Sequence, residues 1–556
     1  MFRVETNSQR TESCVRQTYH IPSLLMMEHA AKAIAQEIQN ISIKNKLPDN
    51  SKVCIFCGRG NNGSDGFALA RLIQQNFYPI IFCKELPKTD EGKIQVDMCK
   101  ALGIRIEADY EIFFKEKEVQ FIIDCIYGTG FHGKLSEELS SLFTRINSME
   151  NIRKIACDIP SGNGLENSFK ADCTITMGNL KLSLFSDNAK NNIGDITAVP
   201  LGISSEKFNL ASDKVTDTKI FLIEKKDVKL PFRNDKSVHK GKFGHTAVFT
   251  GQKPGAAILA ATAAMKFGSG LTSIVKCKED AYKNLSFQKA TDFERFKLNP
   301  ELMLCDELPT KTTCILAGSG FTEVSSETFF YILQHFKNQK NPAAVFDAGF
   351  LTSKEFINFW KEIDEVENAR IILTPHLFEF TSLIKNLIQV MPERFFKELS
   401  DKKAKDEIFA KNPMEKASIE KTPLKQDFLE KDFPKSYSEQ NLLDFYSTSE
   451  LSSFPEKKVQ LGIILNEIFP NTAIIIKSAN SFIAFEKSTF IIHDGRQNLA
   501  KGGSGDILAG MTAALLAQGY PTKDAAISAA KHHALISQKF LVNDYSITPE
   551  NLLNNI

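Results

Sequence analysis

Charge of one sign is what this sequence lacks most plainly: 68 Lys and Arg stand against 67 Asp and Glu. With so little net field, neither nucleic acid nor an anionic membrane surface is expected as a general partner. Long apolar runs are missing too. None reaches roughly 18 residues, the length a membrane-spanning helix requires, so no membrane association is expected. The opening residues, with Arg3, Glu5, Arg10 and Glu12, contain no signal-peptide core. The 11 cysteines follow no framework spacing; this suits reduced thiols in a cytoplasmic protein. Cys54 and Cys57 form a single CxxC inside an apolar strand, with no second pair to complete a metal site. The chain is nevertheless 556 residues long, enough for about two or three domains with cores of their own.

What is present is glycine in chemically informative company. The stretch NLAKGGSGDILAG (498–510) crowds glycines ahead of Asp506 and then enters an apolar run closed by Gly519. A glycine-rich turn that opens a helix aims backbone N–H groups and the positive end of the helix dipole at one spot, a ready anion site. Two readings of Asp506 stay open on these grounds. It is an N-cap carboxylate, or it is a base facing a substrate hydroxyl while the N–H groups hold a phosphoryl group in transfer.

In the N-terminal half, residues 21–43 carry apolar side chains at helical spacing, and 53–57 read as a buried strand. That strand runs into GRGNNGSDG (58–66), with a helix expected from Phe67 onward. Strand, glycine loop and helix make the phosphate-binding turn of a doubly wound sheet. Two further strands end in acids beside glycine loops: Asp124 before Gly128 to Lys134, and Asp158 before Ser161 and Gly162. Ligands of open parallel sheets bind beyond the carboxyl ends of strands, so Asn62, Asp124, Asp158 and Ser161 are expected to converge. Their hard oxygens suit an alkali or alkaline-earth cation better than zinc.

The motifs GRGNNGSDGFALAR, DCIYGTGFHGK, CDIPSGNG and ADCTITMGNLK resemble, in the same order, those of the NAD(P)HX epimerase (YjeF N-terminal) family over residues 10–215. The resemblance implies a Rossmann-like domain. It implies that Asn61, Asn62, Gly63, Ser64 and Asp65 bind the damaged dinucleotide together with Gly128, Thr129, Gly130, Phe131, His132, Gly133, Lys134 and Asp158. It implies a potassium ion on Asn62, Asp124 and Ser161. The family commonly has Pro and Gly where this chain has Arg59 and Ser64.

Polar, turn-like sequence between residues 212 and 229 marks the start of a second domain. HKGKFGH, PGAAILAATAAMKFGSGL, AGSGF, LTPHLFEF, IIKSANS and AKGGSGDILAG resemble the ADP/ATP-dependent NAD(P)HX dehydratases, a ribokinase-like α/β family, over residues 223–550. The implied adenine-nucleotide contacts are Lys477, Ser478, Ala479, Asn480, Ser481 and Gly505. The implied hydrate contacts are Ala256, Gly320, His376 and Asp506. Here the family commonly has a second acid where this chain has Gly349, and Gly where it has Ser478. Residues of about 384–462 are expected to form a charged surface insertion with a mixed-charge centre at 401–435.

The expectation is therefore an α/β chain in two domains: a doubly wound Rossmann-like one, then a ribokinase-like one with an insertion. By resemblance it is a bifunctional enzyme that epimerises hydrated NADH and NADPH and dehydrates the S form. Asp506 and Asp158 are its proton-transfer candidates. Its implied cofactors are potassium and ADP or ATP with magnesium, and its oligomeric state, homo-oligomers included, is open. Two other classes stand beside it. One is a ribokinase-class small-molecule kinase with a non-catalytic N-terminal binding domain; the other is a binding scaffold of the kind found in mRNA decapping.

Overall fold

The computed structural model describes residues 1–131, 133–276, 299–399 and 443–556, which leaves His132 and the 401–435 stretch outside the described residues. The chain divides into two compact units, the first Phe2–Asp217 and the second beginning at Thr218. Among the described residues, no helix is long and apolar enough to cross a membrane.

The first unit has the strands β1 (Phe2–Glu5), β2 (Ser51–Cys57), β3 (Phe77–Phe82), β4 (Arg105–Glu107), β5 (Val119–Cys125), β6 (Arg153–Cys157), β7 (Cys173–Met177), β8 (Leu180–Lys181) and β9 (Asp195–Val199). Seven of them form a parallel sheet in the order β4-β3-β2-β5-β6-β7-β9. The chain leaves β2 toward β3 on one side and returns to β5 on the other, so the switch point lies between β2 and β5. β2 is buried on both faces, as a parallel strand covered by helices must be. Cys57 joins the core under the Ser23–Asn45 and Asn61–Ile73 helices. Cys54 joins the opposite core with Phe56, Phe82 and Phe113. The CxxC thiols thus face away from each other and cannot share a ligand.

The helix after β2 starts at Asn61, six residues earlier than the sequence indicates. Glycine there is not a helix breaker but a requirement of close packing. A Cβ on Gly63 would lie 1.7 Å from the Gly58 carbonyl oxygen, and one on Gly66 2.6 Å from the Cys57 sulfur.

The second unit contains β10 (Lys219–Leu222), β11 (His245–Thr250), β12 (Leu271–Lys276), β13 (Met303–Cys305), β14 (Cys314–Ala317), β15 (Ala343–Phe346), β16 (Arg370–Leu373), β17 (Thr472–Ile476), β18 (Ser481–Phe485) and β19 (Ser488–Ile492). Their order is β13-β12-β11-β14-β15-β16-β17-β18-β19-β10. From β13 to β17 all neighbours run parallel; β17-β18-β19 is an antiparallel meander, and β10 returns parallel to β19. Parallel strands deliver their following loops to one edge, which is what gathers the chemistry.

The helix Ser504–Ala517 is buried on nearly every side, the mark of a helix enclosed within a core. It packs against the helix Pro254–Lys266, whose alanines 257, 260, 261, 263 and 264 are all buried. Those small side chains therefore serve helix-to-helix approach. The helices Leu377–Val390 and Pro455–Ile468, which overlap the two ends of the expected 384–462 insertion, both carry core residues within it, among them Leu387 and Leu461. Phe395, Leu399 and Tyr446 are buried as well.

Candidate functional site

In the first unit the loops after β2, β5 and β6 meet over the switch point. A Cβ on Gly58 would sit 2.0 Å from the Ile126 carbonyl oxygen, so the β2 and β5 loops touch backbone to backbone. Asn62 lies beside Gly128. Both polar atoms of its side-chain amide are buried with no hydrogen-bond partner among the described residues. Such atoms cost about 1–3 kcal/mol each unless something outside the protein satisfies them. Asp124 accepts from the Ser161 hydroxyl at 2.7 Å, the Ser161 N–H at 2.6 Å and the Ile126 N–H at 3.1 Å. Burial nevertheless pushes its carboxyl up to about 6, against those bonds. The Ser161 hydroxyl oxygen also accepts from the Tyr127 N–H at 2.8 Å. An unsatisfied amide oxygen, a carboxylate and a hydroxyl are a donor set that fits a hard cation such as potassium.

Asp158 sits at φ 68°, a left-handed backbone that Asp tolerates better than most side chains. Its Oδ1 is 2.6 Å from the Lys181 ammonium and accepts from Thr176 and the Met177 N–H. Lys181 is almost wholly buried and also donates to the Met177 carbonyl. Burial, helped by the charge of Asp158, raises the Asp65 carboxyl well above its ordinary value. Burial raises Glu12 to about 7 against the pull of Lys181. One buried lysine thus serves several acids. Lys181 and Glu12 were not singled out from the sequence. Lys181 lies in the quoted NLK segment, but only the fold brings the helix Ser8–Tyr19 and Glu12 to it.

The other expected residues here are less tied. Asn61 opens its helix at the surface, and the Ser64 hydroxyl donates to the Gly60 carbonyl at 3.1 Å. Ser64 has no positive φ, so it carries no backbone penalty in place of glycine. Thr129 accepts from Ser8 at 3.5 Å, Gly130 faces Gln9, and Phe131 stacks on Tyr127 at 4.1 Å. Gly133 has φ 115°, and Lys134 follows it in the same loop.

In the second unit, Asp506 stands inside the helix Ser504–Ala517, whose N-cap is Gly503 at φ 97°. The N-cap reading of Asp506 is therefore overturned: it is the third helical residue, and the helix has no side-chain cap. Burial and the negative charge of Asp347 push its carboxyl up to about 7, while the Ser319 hydroxyl and Lys477 pull the other way. Lys477 Nζ is 2.9 Å from Asp347 and 4.0 Å from Glu379. Burial opposes its charge, but these carboxylates outweigh burial and hold its pKa above the ordinary value. Thr374 donates to Asp347 at 2.7 Å. Gly505 is where this ammonium meets backbone, since a Cβ there would lie 3.2 Å from Nζ.

His376 caps the helix Leu377–Val390 in a reciprocal pair with Glu379. Its Nδ1 accepts from the Glu379 N–H at 3.2 Å, and its own N–H donates to Glu379 Oε2 at 2.9 Å. Half of its side chain stays exposed, with Nε2 3.1 Å from Glu379 Oε1. Ala256 packs against Gly320, whose φ of 76° and 2.2 Å clearance to the Lys253 carbonyl oxygen exclude any side chain. Beyond Lys477, the Ser478 hydroxyl donates to the Asn480 carbonyl at 2.6 Å and accepts from Lys458 at 2.9 Å. Ala479 is exposed between them. The Asn480 amide oxygen bonds His493 at 2.7 Å, and Ser481 begins β18. Ala256, Gly320, His376, Lys477, Gly505 and Asp506 are thereby joined by contacts along the carboxyl edge of β11, β14, β16 and β17. Ser319 and Glu379 were missed. The H-x-x-E spacing of a capping box was the available signal for Glu379. Gly349 is also explained: a Cβ there would lie 2.3 Å from the Phe321 carbonyl oxygen, so no second acid fits.

Residues 23–183 match the family described as YjeF-related protein N-terminus. Residues 247–412 and 453–556 match the family described as NAD(P)H-hydrate dehydratase. The bifunctional NAD(P)H-hydrate repair enzyme Nnr of Helicobacter pylori is 32% identical over 541 residues, covering 96% of this chain and 94% of that protein. The chain belongs to the bifunctional NAD(P)H-hydrate repair enzyme family. A second member, from Dictyoglomus turgidum, is 26% identical over 417 residues, covering 69% of this chain and 76% of that one. Among solved structures, the ADP/ATP-dependent NAD(P)H-hydrate dehydratase from Bacillus subtilis, co-crystallised with ATP/Mg2+, is 20% identical. It covers 59% of this chain and 91% of that chain, with a TM-score of 0.38. The family match in the second unit is interrupted between residues 412 and 453.

Proposed function

We propose that this chain repairs hydrated NADH and NADPH. The first unit interconverts the R and S hydrates at C6 of the nicotinamide ring. The second removes water from the S hydrate at the expense of ADP or ATP with magnesium. The observation that carries the second assignment is the placement of Asp506. Burial and the charge of Asp347 push its carboxyl up to about 7 in the first turn of a buried helix, whose preceding residue Gly505 closely approaches the Lys477 ammonium.

In this mechanism the ionised Asp506 takes the proton of the C6 hydroxyl. The hydroxyl oxygen attacks the terminal phosphorus of the nucleotide, and the bond to the departing AMP or ADP breaks. Lys477 and the N–H groups of Gly503, Ser504 and Gly505 stabilise charge on the phosphoryl oxygens. Phosphorylation converts hydroxide into a good leaving group. The C6–O bond then breaks with its electron pair on phosphate, and loss of a C5 proton re-forms the dihydronicotinamide double bond. Ala256, Gly320 and His376 line the hydrate side; residues 477–481 line the nucleotide side.

In the first unit, Asn61 to Asp65 and the 128–134 loop bind the dinucleotide. The Asp158–Lys181 pair takes the C6 hydroxyl proton as the C6–N1 bond opens to the aldehyde, its electron pair going to N1 and the conjugated carboxamide, and returns the proton when N1 closes on the other face of C6. Asn62, Asp124 and Ser161 would hold potassium, which supplies a fixed positive charge near the dinucleotide phosphates when bound. The test is incubation of R and S hydrate mixtures with ADP or ATP, following dihydronicotinamide absorbance and free phosphate. A stable phosphorylated product would instead make the second unit an ordinary small-molecule kinase.

A further inference from the structure

A group of charges beside the first unit's crevice has no part in that mechanism. Arg59 follows Gly58 at the carboxyl end of β2, and Lys84, Glu85 and Lys88 follow the carboxyl end of β3. Arg59 Nη1 lies 3.7 Å and Lys88 Nζ 3.3 Å from the same oxygen of Glu85. The Lys88 N–H also donates to the Arg59 carbonyl at 3.1 Å, tying the two loops together. Lys84 is engaged elsewhere, with Glu138. The three side chains that share the contact are each at least 60% exposed and so open to a ligand. Burial raises the Tyr127 phenol, which stacks on Phe131, and the Arg59 charge partly offsets it.

Position in the sheet gives this group a meaning. When a doubly wound sheet carries a dinucleotide on its first glycine turn, the end of the next strand meets the 2′ position of the adenosine ribose. An acid there receives a 2′-hydroxyl, and an arginine accommodates a 2′-phosphate. β2, the turn at Gly58, the helix Asn61–Ile73 and β3 make up that unit. Glu85 and Arg59 are both present, so charge balance decides. Two cations share one carboxylate, leaving a net positive subsite, and a planar guanidinium matches phosphate oxygens pairwise.

We propose that Arg59, Glu85 and Lys88 form the subsite for the 2′-phosphate of hydrated NADPH, giving the first unit a preference for that substrate over hydrated NADH. The inference rests on the hydrate-epimerase reading. Empty, Glu85 holds the two cations together; occupied, the phosphate takes its place between them.

The experiment uses the full chain without adenine nucleotide, so that only epimerisation of pure R hydrates is followed. Arg59→Ala should lower the ratio of kcat/KM for the NADPH hydrate over the NADH hydrate by about tenfold, mainly through KM, as loss of a charge-assisted contact does. Arg59→Lys should recover part of that ratio, and Glu85→Gln should raise it above the parent's. Rising ionic strength should increase KM for the NADPH hydrate more than for the NADH hydrate. A ratio within twofold of the parent's in Arg59→Ala overturns the inference while the epimerase stands. Failure of the parent to epimerise either hydrate overturns both.

Discussion

Replacing Asp506 by Asn separates chemistry from architecture in the second unit. The amide keeps the size and shape of the carboxylate but cannot take a proton. Positioned general-base catalysis is worth about 10²–10⁴-fold, so kcat for S-hydrate dehydration should fall by that order while nucleotide affinity is kept or slightly improved. The pH dependence sharpens the expectation. The base must be ionised, so kcat/KM of the parent should rise with pH through about 7, and the Asn variant should show no such step.

Stability should move the other way. Because the folded protein raises this carboxyl from 3.8 to about 7, folding favours its protonated form. The stability tied to that proton is fully present below pH about 3.8 and is lost as pH rises through about 7. With each pKa unit worth about 1.36 kcal/mol, ionised Asp506 costs up to about 4 kcal/mol at pH 8. Asp506→Asn should therefore melt higher than the parent at pH 8 and close to it near pH 4. Steady-state kinetics between pH 5.5 and 8.5, beside thermal melts near pH 4 and at pH 8, make the assay. A variant within a few-fold of parental rate, or one that keeps the parental pH step, would refute Asp506 as the base.

Asp124→Ala removes the acceptor of three hydrogen bonds and should abolish epimerisation and its potassium dependence while S-hydrate dehydration persists. Equal loss of both activities in a folded variant would show that the two sites are not independent. Gly505→Ala puts a methyl 3.2 Å from the Lys477 ammonium and should weaken ADP binding several-fold by calorimetry; unchanged affinity would mean that Lys477 does not need that approach. Lys477→Met leaves Asp347 buried without its cation and should cost about 3–5 kcal/mol in denaturant unfolding, a prediction that an unmoved midpoint rejects.

The strands that end at the first site, β2, β5 and β6, could be read from the sequence because each apolar run ends in an acid or a glycine turn that a buried parallel strand would not carry inside itself. Helix starts were harder. At Asn61 and Ser504 the glycines look like breakers, whereas each admits a close neighbour: Gly58 against Gly63, Lys477 against Gly505. Only tertiary contact reveals that use. The same limit hid Glu12 and Lys181, which share Asp158 as a neighbour although Glu12 lies 146 positions before it and Lys181 23 positions after it. Glu379 lay within a legible motif, but its tie to Lys477 spans β16 and β17.

The close contact between the helices Ser504–Ala517 and Pro254–Lys266 has a consequence for how the second unit tolerates change. A Cβ on Gly510 would lie 2.1 Å from the Ala260 carbonyl oxygen, so the separation of the two helices is set by bare backbone. Gly510 is four residues, about 6 Å along the axis, from Asp506, and Ala256 begins the facing helix. The spacing between Asp506 and Ala256, the proposed base and the proposed hydrate contact, is thus gauged by a point with no side chain at all. A single methyl group there acts as a shim, widening the jaws of the site without altering any residue that touches a ligand.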